Sequence, residues 1–188
     1  MCIAAEERVT GQLNCSPSQK DLMRFILFRH GPAGRRDPSL WPDDALRPLT
    51  RRGEERTRRA AQGLGRIERD ITLILTSPFR RADGTAQVLA RVLGVDRVER
   101  LDALAPGGSP RKLLDSVPQI EGAVVLVGHE PDLGQLGAQL IGSIPLPLKK
   151  AGACAIAFDG QLAPGAGTLL WLATPKLLRR LALKKDKV

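Results

Sequence analysis

Three short, largely apolar runs recur along the chain, and they constrain its architecture more than any other feature. They are Arg24-Phe25-Ile26-Leu27-Phe28, Ile71-Thr72-Leu73-Ile74-Leu75-Thr76 and Ala123-Val124-Val125-Leu126-Val127. Runs of this length without polar alternation predict strands buried on both faces, the pattern of a parallel sheet covered by helices. Helical stretches separate them. Thr50 is placed to cap a helix over 51–67, with Glu54 and Glu55 in its first turn and an apolar stripe of Ala60, Ala61, Leu64 and Ile67. Ser77-Pro78 reads as the cap and first position of a helix over 78–93 that Gly94 stops. Weaker signals give a third strand over 97–101, a short helix over 111–117, a helix over 132–141, strands at 153–158 and 168–174, and a basic helix over 176–183. The alternation predicts an α/β three-layer sandwich on a mostly parallel sheet, its last hairpin contributing one antiparallel strand.

At 188 residues the chain suits one such domain. The net charge of +9, from 29 basic and 20 acidic residues, favours phosphate-bearing or acidic partners. Aromatics are only 3% and Tyr is absent, so a base-stacking platform is hard to build and nucleic acid is disfavoured as a partner. Cys2, Cys15 and Cys154 form no C-x-x-C pair. Their odd number argues against a disulfide framework or a zinc ribbon and fits a reducing cytoplasm. No apolar stretch is long enough to span a membrane. Residues 1–22 hold Glu6, Glu7 and Arg8 early and lack the apolar segment of a signal peptide. They are expected to be a mobile extension ahead of a domain over 23–188, with Met23 as a candidate natural start.

The chain has two histidines, His30 and His129, each just past the C-terminal end of a predicted core strand. In sheets of this kind ligands sit beyond the carboxyl ends of the strands. Arg29 adjoins the first histidine, and Arg80 and Arg81 fall in the first turn of the helix after the second strand. Two imidazoles, forked guanidiniums and a helix N-terminus at one edge make a site for a dianion. Nearby cations favour neutral imidazole, which is a nucleophile toward phosphorus. The expected reaction is in-line transfer of a phosphoryl group to His30 and hydrolysis of the phosphohistidine. Arg29 and Arg81 neutralise the equatorial oxygens and His129 donates a hydrogen bond to one of them. No P-loop, G-x-S-x-G or H-E-x-x-H motif is present. Gly107-Gly108 reads as a turn, the Arg-rich 51–69 stretch as a solvated face with Glu54, Glu55, Glu68 and Asp70 in local pairs, and Lys184, Lys185 and Lys187 as solvent-exposed.

Phe28-Arg29-His30-Gly31 resembles the R-H-G signature of the histidine phosphatase superfamily. Ser77-Pro78-Phe79-Arg80-Arg81-Ala82-Asp83-Gly84-Thr85-Ala86 resembles its S-P-x-x-R-A-x-x-T-A segment, with Arg81 at the phosphate-binding position, and Gly128-His129-Glu130-Pro131 its second-histidine motif. Arg47-Pro48-Leu49-Thr50 with Gly53, and Trp171 with Thr174-Pro175-Lys176-Leu177, are similar to segments of SixA-type phosphohistidine phosphatases. The resemblance covers 23–182. It implies a phosphoglycerate mutase-like sheet of about six strands with helices on both faces, His30 as the phosphorylated residue, and neither metal nor cofactor. One position departs: where relatives often carry a glutamate, this chain has Ala103, leaving neighbouring Asp102, or Glu130 beside His129, as candidate proton donors.

A phosphate monoester needs such a donor, which contributes about 10²–10⁴-fold. A departing protonated imidazole needs it less. A short connection after the third strand also leaves the pocket open to a histidine presented by another protein. The expected function is therefore a phosphohistidine phosphatase with a protein substrate. The alternatives are a phosphatase for small phosphate monoesters and, in another class, a non-catalytic phosphate- or RNA-binding module.

Overall fold

In the computed structural model, which describes residues 22–117 and 122–183, six strands form one sheet in the order β3-β2-β4-β1-β5-β6. The strands are β1 (Met23–Arg29), β2 (Ile71–Thr76), β3 (Val98–Arg100), β4 (Ala123–Gly128), β5 (Ala153–Phe158) and β6 (Gly167–Ala173). The helices are α1 (Arg51–Leu64), α2 (Arg80–Leu93), α3 (Pro110–Ser116), α4 (Asp132–Ile141) and α5 (Pro175–Leu181). β1, β2, β3 and β4 pair in parallel, whereas β5 lies antiparallel to both β1 and β6. The expected mostly parallel sheet with one reversed strand is what forms. Readings of residues 1–21, 118–121 and 184–188, including the N-terminal extension and the terminal lysines, lie outside the described residues.

Strand periodicity sorts the core into two layers. Ile26, Phe28, Ile74, Val125 and Val127 pack with Ala60, Ala61 and Leu64 of α1, Ala82, Ala86 and Leu89 of α2, and Leu178 of α5. Phe25, Leu27, Leu73, Leu75, Val124 and Leu126 face the other way, against Leu113 of α3 and Leu133, Leu136 and Leu140 of α4. Successive strand side chains point to opposite faces, so each central strand serves both layers and reads as unbroken apolar sequence.

The α1 cap is as the sequence implies, with Thr50 Oγ1 accepting the Gly53 N–H at 2.9 Å. The helix stops at Leu64 rather than 67, and Ile67 is 40% exposed instead of completing the stripe. Gly94, at φ 70°, ends α2 where expected. The electrostatics of the α1 region differ from expectation. Glu55 pairs locally with Arg58 and Arg59, but Glu54 reaches across to Arg91 of α2. Glu68 is buried: its carboxylate accepts from Arg24 Nε at 3.2 Å and from Trp171 Nε1 at 2.9 Å. Arg24 lies inside the sheet edge at 4% exposure, and a buried guanidinium requires a paired carboxylate. That long-range demand overrides the local pairing suggested by charge spacing.

Candidate active site

Parallel pairing fixes the site. β1 and β4 are neighbours with Arg29 opposite Gly128, so the next residue of each, His30 and His129, leaves the sheet at the same level. The His30 N–H donates to the Gly128 carbonyl at 3.0 Å, which holds the exit in register. The two rings are 5.0 Å apart between centroids, tilted by 53°, and both are buried, at 5% and 4% exposure. Gly31 follows because a side chain cannot: a Cβ there would collide with Thr57 Oγ1 on α1. Its N–H donates to Thr85 Oγ1 of α2 at 2.9 Å.

His30 Nδ1 lies 2.7 Å from the Gly31 carbonyl oxygen. A carbonyl only accepts, so Nδ1 carries the proton and Nε2 carries the lone pair. His129 Nε2 lies 2.9 Å from Ser77 Oγ, and Ser77 itself accepts the Phe79 N–H at 3.2 Å. The Phe79 ring stands edge-on to His129 at 5.2 Å, and Arg81 stacks over that ring at 5.0 Å. Ser77 is thus not the cap of α2, which begins at Arg80. Its hydroxyl orients a histidine instead.

Arg81 is 4% exposed. Its Nη2 meets Asp44 Oδ2 at 3.0 Å and its Nη1 donates to the Asp44 carbonyl at 2.8 Å. Asp44 also accepts from Arg47 Nε at 2.8 Å. A short 3-10 turn (Asp44–Leu46) in the Pro-rich loop thereby orients both guanidiniums. Arg29 Nη1 donates to the Leu148 carbonyl at 2.8 Å. Arg29 Nε, Arg81 Nε and His129 Nδ1 are buried without a hydrogen-bond partner in the protein. Buried polar nitrogens normally have one, and three of them around paired imidazoles are what an oxyanion would satisfy.

Burial holds His30 at about 3, with His129, Arg81 and Arg29 adding to the depression against the opposing Gly31 hydrogen bond. Burial likewise holds His129 at about 4, helped by Arg81, then Arg29 and Arg47, and opposed by Asp44. Both rings are neutral at pH 7. Because these values lie below the unfolded value of 6.5, the unfolded chain binds protons that the folded chain refuses as the pH drops beneath it. Stability is therefore expected to fall from pH 7 toward pH 5, by up to about 1.4 kcal/mol per pH unit for each histidine. Melting temperatures across that range check this: His129→Asn is expected to flatten the slope, and an unchanged slope would place the titration elsewhere.

Of the residues singled out from sequence, the structure brings His30, His129, Arg29 and Arg81 to one edge. Arg80 is exposed at the first residue of α2. The candidate proton donors fare differently. Asp102 is exposed on the 3-10 turn Asp102–Leu104, with no hydrogen bond or ion pair to either histidine among the described residues. Glu130 turns to the backbone, where Oε1 accepts the Leu148 N–H at 3.0 Å, and burial raises its pKa. Ala103 lines a hollow of about 20 Å³ beside His129, together with Leu104, Leu113, Asp132 and Leu133. Asp44 and Ser77 were not singled out as site residues. The i,i+3 spacing of Asp44 and Arg47 was the available signal for the first, and Ser77 followed a core strand directly, as both histidines do.

A three-layer α/β sandwich carrying paired neutral imidazoles and buried guanidiniums at the carboxyl edge of its sheet defines an oxyanion-handling class. The family model of the histidine phosphatase superfamily (branch 1) matches residues 25–106. An uncharacterized protein of Picosynechococcus sp. is 40% identical over 117 residues, covering 60% of this chain and 70% of that protein. Phosphohistidine phosphatase SixA of Escherichia coli is 29% identical over 159 residues, covering 81% of this chain and 94% of SixA. A solved structure of the protein histidine phosphatase SixA complexed with tungstate superposes with a TM-score of 0.72 at 28% identity, over 82% of this chain and 98% of that one. The chain belongs to the histidine phosphatase superfamily, and within it resembles the SixA type. Members of that superfamily are phosphatase hydrolases. Among the described residues no helix is long and apolar enough to cross a membrane.

Proposed function

We propose that this protein is a phosphohistidine phosphatase, acting on a phosphorylated histidine of another protein through a phosphorylated His30. The observation that carries the reading is the 2.7 Å contact of His30 Nδ1 with the Gly31 carbonyl, which leaves Nε2 bare beside a second imidazole and two arginines. Nε2 attacks phosphorus with its lone pair, forming the new P–N bond as the substrate's P–N bond breaks. The substrate imidazole, protonated on its ring, departs neutral. His30 becomes an imidazolium whose Nδ1–H stays on Gly31, so attack requires no proton transfer. Water then forms a P–O bond, the electron pair returns to Nε2, and a water proton passes to phosphate or solvent.

Arg29 and Arg81 hold the equatorial oxygens through the transfer. The Ser77 hydroxyl, already accepting from Phe79, donates its own proton to His129 Nε2 and so leaves a proton on His129 Nδ1 for a phosphoryl oxygen. None of these steps uses a carboxylic acid, which accords with Ala103 beside His129, the exposure of Asp102 and the engagement of Glu130 with Leu148. The mechanism also needs no metal, and the reading places the protein in the cytoplasm, where phosphohistidine proteins act as phosphoryl carriers. Incubation with a phosphohistidine protein and with an alkyl phosphate monoester, glycerol 2-phosphate, whose alkoxide must be protonated as it leaves, tests the assignment. A kcat/KM at least about 10²-fold higher for the protein substrate is expected, since the ester lacks its acid. Turnover of the ester alone would overturn the reading in favour of small phosphate monoesters.

A further inference from the structure

The stretch linking α4 to β5 is fastened to the site at several points. Leu148 is gripped from both sides: Arg29 donates to its carbonyl at 2.8 Å and Glu130 accepts its N–H at 3.0 Å. Three residues on, the Ala151 N–H donates to the carbonyls of Arg29, at 3.0 Å, and His30, at 3.2 Å. Gly152 N–H closes on the Lys149 carbonyl at 2.7 Å, and the Arg29 N–H donates to the Gly152 carbonyl at 3.1 Å. Lys150 is the corner of this tight turn. Its neighbour Ala151 has φ 60°, the left-handed region that a side chain makes unfavourable, so the turn is held there by its fastenings rather than by local preference.

The charge around Lys150 is of its own sign. Arg29, Arg47 and Arg81 act on it, and partial burial together with these charges lowers its pKa. No carboxylate pairs with Lys150 among the described residues. Asp44 is already engaged by Arg47 and Arg81, and Glu130 is bound to Leu148 beside Arg29. Lys150 is exposed, and a fourth cation carried on this fastened turn, near three guanidiniums, adds to the attraction for an anion brought from outside.

We propose that Lys150 is a further substrate-binding residue, its ammonium contacting an oxygen of the phosphoryl group that Arg29 and Arg81 hold. The proposal rests on the phosphatase reading above for the identity of the natural anion, while its geometry concerns any tetrahedral oxyanion. Lys150 lies between Lys149 and Ala151, outside the motifs by which the family resemblance was read.

Tungstate, the anion held by the solved relative, is the probe. Its affinity for the full chain is measured by titration calorimetry in the wild type, Lys150→Gln and Lys150→Arg, alongside the KM for a phosphohistidine protein. Lys150→Gln is expected to weaken tungstate binding by about 10-fold and to raise KM with an unchanged melting temperature. Lys150→Arg is expected to stay within about 3-fold of wild type, because the charge is kept. If Lys150→Gln keeps wild-type tungstate affinity and KM, or if Lys150→Arg is impaired as much as the glutamine variant, the proposal is overturned. A wild type that binds tungstate in a Lys150-dependent way but turns over no phosphohistidine overturns only the phosphatase reading. A wild type that binds no tungstate overturns both.

Discussion

His30→Ala is expected to lower turnover of a phosphohistidine protein by about 10⁴-fold or more while leaving tungstate affinity within about 10-fold. The asymmetry follows from how the site divides its work. In the proposed mechanism Nε2 of His30 supplies the electron pair. His129 cannot substitute, because its Nε2 is engaged by Ser77 at 2.9 Å. Anion binding, on the same proposal, draws instead on Arg29, Arg81 and His129, all retained in the variant. Removing the ring also leaves the backbone intact, since the His30 N–H to the Gly128 carbonyl and the Gly31 N–H to Thr85 do not involve the imidazole. Single-turnover rates and calorimetry on one preparation separate the two effects. Substantial turnover by the variant would mean that water attacks the substrate directly.

Arg81→Ala is expected to reduce kcat/KM by about 10³-fold, the upper end for loss of one oxyanion donor. The reason is the company Arg81 keeps. Its guanidinium neutralises Asp44 through the 3.0 Å contact, so truncation removes a proposed phosphoryl ligand and also leaves Arg47 as the remaining ion-pair partner of that carboxylate among the described residues. Repulsion of an incoming phosphoryl group adds to the lost attraction. Arg81→Lys is expected to recover little. A lysine offers a single ammonium, whereas Arg81 spends Nη1 and Nη2 on Asp44 and keeps Nε free of protein partners. Steady-state kinetics of both variants check this, and a lysine variant with wild-type kcat/KM would contradict the forked geometry.

The sheet was legible because burial on both faces writes itself as unbroken apolar sequence, as in Phe25 to Phe28 and Ala123 to Val127. The weak third strand proved short, Val98–Arg100, since an edge strand buries little and carries Glu99 and Arg100. The meeting of the four candidate site residues was legible for a related reason: parallel strands end at a common edge, so His30 and His129, far apart in sequence, emerge side by side. Ser77 was misread because Ser-Pro after a strand is equally a helix start, and only the packing of Phe79 and His129 decides what the hydroxyl meets. Asp44 and Lys150 sit on connections without periodicity. Their places depend on loop hydrogen bonds, the Arg81 pair in one case and the Ala151 N–H in the other, which no local pattern encodes. Glu68 shows the same limit from the stability side, its partners Arg24 and Trp171 lying on strands at opposite ends of the chain.

The central claim is that His30 carries the phosphoryl group. Rapid quenching in base of a reaction with a ³²P-labelled phosphohistidine protein, followed by digestion and mass mapping, tests it most directly. Acid-labile, base-stable phosphate on the peptide containing His30, absent from His30→Ala, is the expected result. Label found on His129, or free phosphate released at full rate with no labelled enzyme peptide at any quench time, would contradict it.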